Sequence, residues 1–145
     1  MNVREVMTSN PVCCLPEDTA QTVARQMCQS NVGSIPIMSD RQSKKLTGIV
    51  TDRDLCCSVV AQGLDPATTP IREYMRKNPV ACRPDDSLES CEQAMQRHQV
   101  RRIPVVDEQG RCVGIVAQAD VALRHEPQQV SKTVAEISRS NRAAA

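Results

Sequence analysis

Aromatic side chains are nearly missing from this 145-residue chain, which has no Phe, no Trp and a single Tyr, Tyr74. Val, Ile, Leu, Met and Cys must therefore fill the core, which total volume and patterning permit. The same lack argues against single-stranded nucleic acid as a ligand, since its bases are gripped by aromatic stacking platforms. An excess of one charge is also missing. The formal net charge is +1; residues 1–68 hold six Lys/Arg against seven Asp/Glu, and residues 69–145 hold twelve against ten. No basic face directs the chain to nucleic acid or to an anionic membrane. Nor does any apolar run approach the roughly 20 residues that span a bilayer. The opening MNVREVMTSNP lacks the apolar stretch of a signal peptide, so the expectation is a soluble, cytoplasmic protein.

Cysteine is plentiful by contrast, with eight residues, but no CxxC occurs. The adjacent pairs Cys13-Cys14 and Cys56-Cys57 are poorly spaced for one tetrahedral metal, because neighbouring side chains of a strand point to opposite faces. In a chain without a secretion signal they read first as reduced thiols serving as small buried hydrophobes, with a redox role left open. There are two His, His98 and His125. Both look surface-placed at helix ends, with no carboxylate or nucleophile at a suggestive spacing. The chain contains no nucleophile elbow, Walker loop, GxGxxG or HExxH. No enzyme, catalytic residue, metal or required cofactor is expected.

What the chain does have is an internal repeat at an offset of 68 residues. Between residues 2–38 and 70–106 there are 13 identities in 37 positions, among them Met7/Met75, Asn10/Asn78, Pro11/Pro79, Cys14/Cys82, Asp18/Asp86, Ile35/Ile103 and Pro36/Pro104. The register then slips by two, at the polar segment Asp40 to Lys45, where an insertion costs little. Beyond it Gly48 to Leu55, GIVTDRDL, pairs with Gly114 to Val121, GIVAQADV.

Each copy opens with a short helix-like segment ending at the Met, followed by a strand that flanking Pro residues confine to an edge. Asp18 and Asp86, with Gln21 and Glu89, read as helix caps and capping boxes. Ala20, Val23, Ala24, Met27 and Cys28, and then Leu88, Cys91 and Met95, follow helical spacing. Two strands come next, SIPIM with LTGIV and RIPVV with CVGIV. After GIVTDRDL a helix runs to about Gln62, where Gly63 stops it. Each copy thus reads β-α-β-β-α. A three-stranded sheet covered on one face leaves the other apolar, so two copies must pack together. The expectation is an α+β fold of two pseudo-symmetric repeats, 1–66 and 67–126, packed sheet to sheet as one module. Residues 127–145 follow as a helix, with Val130, Val134 and Ile137 as a narrow stripe, and a tail fraying from Ser138.

In GIVTDRDL a Gly permits close backbone approach, two β-branched residues end a buried strand, and a polar turn opens a helix. Free N–H groups and the positive dipole end at such a turn favour an anion, while an ionised Asp accepts hydrogen bonds from a sugar diol. Thr51 with Asp54, and Ala117 with Asp120, are therefore candidate nucleotide half-sites. Thr51, Asp52 and Asp54 also suit plain helix capping. Arg53, set between the two Asp residues, could pair with either.

These two stretches, with HQVRRIPV at His98 to Val105, resemble CBS domains, small regulatory modules that occur in pairs called Bateman modules and often bind adenine nucleotides. The resemblance implies a regulatory sensor taking AMP, ADP, ATP or NAD in the cleft between paired repeats, as a homodimer that signals through its shape or through an unidentified protein partner. Basic residues just before the Ile-Pro step reach phosphates in nucleotide-binding relatives, which points to Arg101 and Arg102. The family pattern expects a hydroxyl where Ala117 stands. One site combining Thr51 and Asp54 with Arg101 and Arg102 is expected, with Asp120 in the other turn and Val12, Val80, Ile35 and Ile103 as candidates to sandwich the base. The alternative is a ligand-free, structural or redox-responsive stress-associated homodimer.

Overall fold

The structure, a computed structural model, describes residues 1–124 and 127–143. Two compact units divide the chain. The first-repeat unit comprises Asn10–Pro79 with Gln109–Cys112, and the second-repeat unit comprises Met1–Ser9, Val80–Glu108 and Val113–Ala145.

In the first-repeat unit α1 (Ala20–Ser30) is followed by the antiparallel pair β2 (Ser34–Met38) and β3 (Leu46–Thr51). Next comes α2 (Asp52–Leu55), which continues as a π-helical turn, Cys56–Val60. Gly63 ends the segment at φ 69°. Strand β4 (Arg76–Lys77) completes a sheet of order β2-β3-β4. Val23, Ile35, Ile37, Val50 and Ile71 are fully buried at its core. The polar segment after β2 closes on Asp40, whose Oδ1 accepts from the Gln42 and Ser43 amides at 2.9 and 2.6 Å.

The second-repeat unit repeats the plan. Strand β1 (Thr8–Ser9) belongs here, with α3 (Leu88–His98), β5 (Arg102–Val106), β6 (Cys112–Ala117) and α4 (Gln118–Ala122), in a sheet of order β1-β6-β5. Helix α5 (Pro127–Ala143) extends past Ser138, where fraying was expected. Its buried residues are Thr133 and Ile137, with Val130 and Val134 half-buried. Thr133 can be buried because its Oγ1 accepts from Gln96 Nε2 of α3 at 3.0 Å.

Each unit is completed by the stretch that opens the other sequence repeat. Val3 and Arg4 donate their amides to the Asp86 and Pro84 carbonyls, both at 2.9 Å, while Ile71 and Arg72 donate to Asp18 and Pro16 at 2.9 and 3.0 Å. The Met1 carbonyl takes the Leu88 amide at 3.0 Å and the Thr69 carbonyl takes the Ala20 amide at 2.9 Å, so these segments also satisfy the first orphan donors of α3 and α1. The expected helix-like openings are only 3-10 turns, Val3–Glu5 and Ile71–Glu73. Beyond them the chain extends into β1 and β4, which pair with β6 and β3.

Three further expectations are corrected. The Pro-flanked strands shrink to single parallel bridges, Cys14 to Ile37 and Cys82 to Val105, because proline on either side removes the neighbouring donors. The helix caps lie one residue later than expected. Thr19 Oγ1 accepts from the Thr22 amide at 3.2 Å and Ser87 Oγ from the Ser90 amide at 3.0 Å. Asp18 and Asp86 instead close the preceding turns by accepting from Leu15 and Arg83, each at 2.8 Å. Cys28, expected on the buried face of α1, is exposed.

The glycines of the two GIV segments are explained by this exchange. A Cβ on Gly48 would stand 2.7 Å from Met75 Sδ and 3.0 Å from the Arg76 carbonyl; one on Gly114 would stand 2.5 Å from Met7 Sδ and 3.2 Å from the Thr8 carbonyl. Gly48→Ala and Gly114→Ala are each expected to cost about 1–3 kcal/mol in urea unfolding, by overpacking. Met75→Ala in the Gly48→Ala background should cost less than the sum of the two single changes. Unfolding midpoints unchanged by both alanines would contradict the close approach.

Candidate functional site

In the first-repeat unit β2 and β3 place Ser34 opposite Thr51, at the point where β3 turns into α2. Thr51 is the N-cap. Its Oγ1 accepts from the Asp54 amide at 3.1 Å, and Asp54 Oδ2 accepts from the Thr51 amide at 2.9 Å, a reciprocal capping box. The Asp52 amide donates to the Gly33 carbonyl at 2.9 Å, and the Arg53 amide to Asp52 Oδ1 at 2.8 Å. The N–H groups expected to be free for a phosphate are thus engaged within the chain. Asp54 is engaged as well. Arg76, opposite Ile49 in the exchanged strand, donates from Nε and Nη2 to Asp54 Oδ1 at 3.3 and 3.2 Å. The guanidinium beside Asp54 inside this unit is therefore Arg76, not Arg101. Nothing in the linear repeat pointed to it, because its counterpart is Thr8 and its position depends on the exchange. Ser34 stands out for the opposite reason: only 6% exposed, its hydroxyl has no hydrogen-bond partner.

The corresponding turn of the second-repeat unit is built differently. Asp120 Oδ2 accepts from the Ala117 amide at 2.8 Å and the Gln118 amide donates to the Arg101 carbonyl at 2.8 Å. With Ala117 at the cap position no side chain caps this turn. The exchanged strand brings no arginine here: β1 sets Thr8 opposite Ile115, where β4 sets Arg76 opposite Ile49 in the other unit. Arg101 is exposed and Arg102 half-buried, and neither guanidinium forms an ion pair among the described residues.

Thr51, Asp54, Val12 and Ile35 thus lie in one unit, and Asp120, Arg101, Arg102, Val80 and Ile103 in the other. Ile35 and Ile103 are 0% exposed in their cores, whereas Val12 is 39% exposed and Val80 half-buried. The two isoleucines fill the cores of their units, as inward-facing strand positions do, whereas Val12 and Val80 keep accessible surface. Arg53 is exposed, and its guanidinium forms no ion pair with either neighbouring Asp among the described residues. His98 is exposed, and His125 lies outside the described residues.

Arg76 has a side chain 59% exposed against 13% for Asp54, and half-solvated pairs of this kind contribute about 0–1 kcal/mol. Arg76→Ala should therefore lower stability by less than about 1 kcal/mol in urea unfolding, while Asp54→Ala, which also removes a cap, should cost about 1–2 kcal/mol. Equal losses would mean that the cap adds nothing beyond the ion pair.

Residues 3–60 and 71–124 each match the CBS domain. CBS domain-containing protein YhcV of Bacillus subtilis is 41% identical over 122 residues, 84% of either chain. Hypoxic response protein 1 of Mycobacterium tuberculosis is 36% identical over 125 residues, 86% of this chain and 85% of its own. A crystal structure of hypoxic response protein I with two coordinated zinc ions superposes with a TM-score of 0.78 at 32% identity, over 87% of this chain and 100% of that one. Among the described residues of the present chain, no group of three or more His, Cys, Asp or Glu could hold a metal ion. The CBS domain protein PAE2072 from Pyrobaculum aerophilum, solved as a complex with AMP, superposes with a TM-score of 0.78 at 24% identity, over 93% and 99% of the two chains. The chain belongs to the CBS domain family and carries two copies of the domain.

Proposed function

We propose that this CBS pair is a regulatory module that binds an adenine nucleotide, whether AMP, ADP, ATP or NAD, and signals by a change of shape or partner. Ser34 carries the reading. A buried hydroxyl without a partner costs about 1–3 kcal/mol, and Ser34 is paired with Thr51 across the strands at a strand-to-helix turn. An oxygen of a bound ligand would satisfy it. Asp120, free of any arginine among the described residues, suits a ribose diol. Arg101 and Arg102 suit phosphate through paired, charge-assisted hydrogen bonds. Asp54 can serve a sugar once Arg76 shifts, and Val12 and Val80 offer aliphatic surface to a base. The AMP complex of PAE2072 supports the ligand class.

Catalysis forms no part of this reading, and the nucleotide acts as a regulatory ligand. A ligand moves such a module only by its differential affinity for two states, so the output passes to a protein partner or to a second copy. We take the working form to be a homodimer, supported by Val60 and Leu123, which are 69% and 84% exposed. A cytoplasmic setting fits the eight cysteines, none of them in a disulfide. No helix among the described residues is long and apolar enough to cross a membrane.

Calorimetric titration with AMP, ADP, ATP and NAD, run alongside sedimentation velocity with and without the ligand that binds, tests both parts. Loss of a charge-assisted contact worth about 1.5–3 kcal/mol means that Arg101→Ala or Arg102→Ala should weaken binding about 10- to 100-fold. Ser34→Ala should raise the stability of the ligand-free protein yet weaken binding. No heat with any of the four at millimolar concentration would overturn the nucleotide reading, and a monomer under all conditions would overturn the dimer.

A further inference from the structure

The cysteines are not scattered evenly among roles. Cys28, Cys56 and Cys57 are exposed; Cys82 and Cys91, hydrogen-bonded to each other, are 4% and 0% exposed in the second-repeat core. The remaining thiol pair is Cys13 and Cys112, whose side chains are also hydrogen-bonded to each other. Both belong to the first-repeat unit. Each sits on backbone that is tied down. The next residue, Cys14, donates its amide to the Pro36 carbonyl at 3.1 Å and accepts from the Met38 amide at 3.0 Å. Cys112 donates its amide to the Lys44 carbonyl at 2.9 Å, beside the antiparallel bridge between Lys45 and Arg111. Cys13 is only half-buried, so a small oxidant can reach it, and the Lys44 ammonium is close enough to favour its thiolate. The repeat partners of these positions are Ala81 and Leu46. Packing at the equivalent place therefore needs no sulfur.

We infer that Cys13 and Cys112 form a reversible disulfide site that a hydroperoxide oxidises. Thiols already in hydrogen-bond contact, on fixed backbone, need only a small approach to reach bonding distance. The hydrogen bond to Cys112 and burial push the Cys13 thiol up, with the Lys44 ammonium acting against them, so the reactive thiolate forms as pH rises. Cys13, the thiol that a peroxide can reach, is the one that attacks. Its sulfur bonds to one peroxide oxygen as the O–O bond breaks, giving a sulfenic acid and releasing the second oxygen as hydroxide or alkoxide. The Cys112 sulfur, losing its proton, next attacks the sulfenic sulfur; the S–S bond forms, the S–O bond breaks and water leaves. Two thiols are oxidised by two electrons in all, and the peroxide is reduced by two. A dithiol reductant reverses the step by thiol–disulfide exchange. The site stands independently of nucleotide binding.

The test is peptide mapping of the full wild-type protein after brief treatment with hydrogen peroxide, alkylation under denaturing conditions, and digestion. The expected product is an intramolecular Cys13–Cys112 cross-link, with alkylatable thiols falling from eight to six, restored by dithiothreitol. The cross-link should form faster as pH rises. Cys112→Ser should abolish it and leave the other six cysteines alkylatable. Oxidation that consumes other cysteines first, leaving Cys13 and Cys112 both alkylated, would overturn the inference, and so would a cross-link joining either residue to a different cysteine.

Discussion

The constraint on which the rest depends is the pair of backbone hydrogen bonds from Val3 to Asp86 and from Ile71 to Asp18. Each lays the opening of one sequence repeat along the body of the other. Several otherwise unrelated features follow from it. The Met1 and Thr69 carbonyls satisfy the starts of α3 and α1, so helices of only 11 residues need less support from intrinsic propensity. Gly48 and Gly114 have no side chain because Met75 and Met7 lie where one would be. Arg76 reaches Asp54 because β4 adds to β3, whereas β1, carrying Thr8 and Ser9, brings no positive charge to Asp120.

Equivalent backbones thus carry two different chemistries. The first-repeat turn is closed on itself, with its amides taken by Thr51, Asp54, Asp52 and Gly33 and its inner carboxylate by Arg76. What it has left over is the Ser34 hydroxyl. The second-repeat turn gives up the capping hydroxyl at Ala117 and keeps two guanidinium groups without an ion-pair partner among the described residues. Replacing threonine by alanine would look like the decay of a binding turn. It also removes a competitor for the turn's own donors. The thiols break the symmetry a second time, since Cys13 and Cys112 have no cysteine at the matching positions of the other repeat.

Much of this was legible in the chain itself. Thirteen identities at one offset revealed the duplication, and the 3.6-residue spacing located α1, α3 and α5. The close approach at Gly48 could be read from its place just ahead of two β-branched residues and a polar turn. What could not be read was which repeat each opening segment serves. Local sequence carries no record of that, because Val3 and Ile71 are apolar either way and find acceptors only in three dimensions. Arg76 was missed for that reason. The cap positions moved by one residue because Asp18 and Thr19, and likewise Asp86 and Ser87, offer rival acceptors, and the Pro turn before them takes the carboxylate. Ile35 and Ile103 could not be separated from Val12 and Val80 as base contacts, since an apolar residue shows no sign of which face it will occupy until the core is filled.

The exchange itself is open to a single direct measurement. Native-state hydrogen exchange at the Val3 and Arg4 amides, which lie within four residues of the chain's first residue, reports whether that segment is built into the second-repeat core. Chain ends without such anchoring fray and exchange freely. The account predicts protection at both amides approaching that of Cys91 and Met95 in α3. Exchange at the rate of an unstructured terminus would contradict it, and with it the explanations offered for Gly114 and, by the pseudo-symmetry of the repeats, for Gly48 and Arg76.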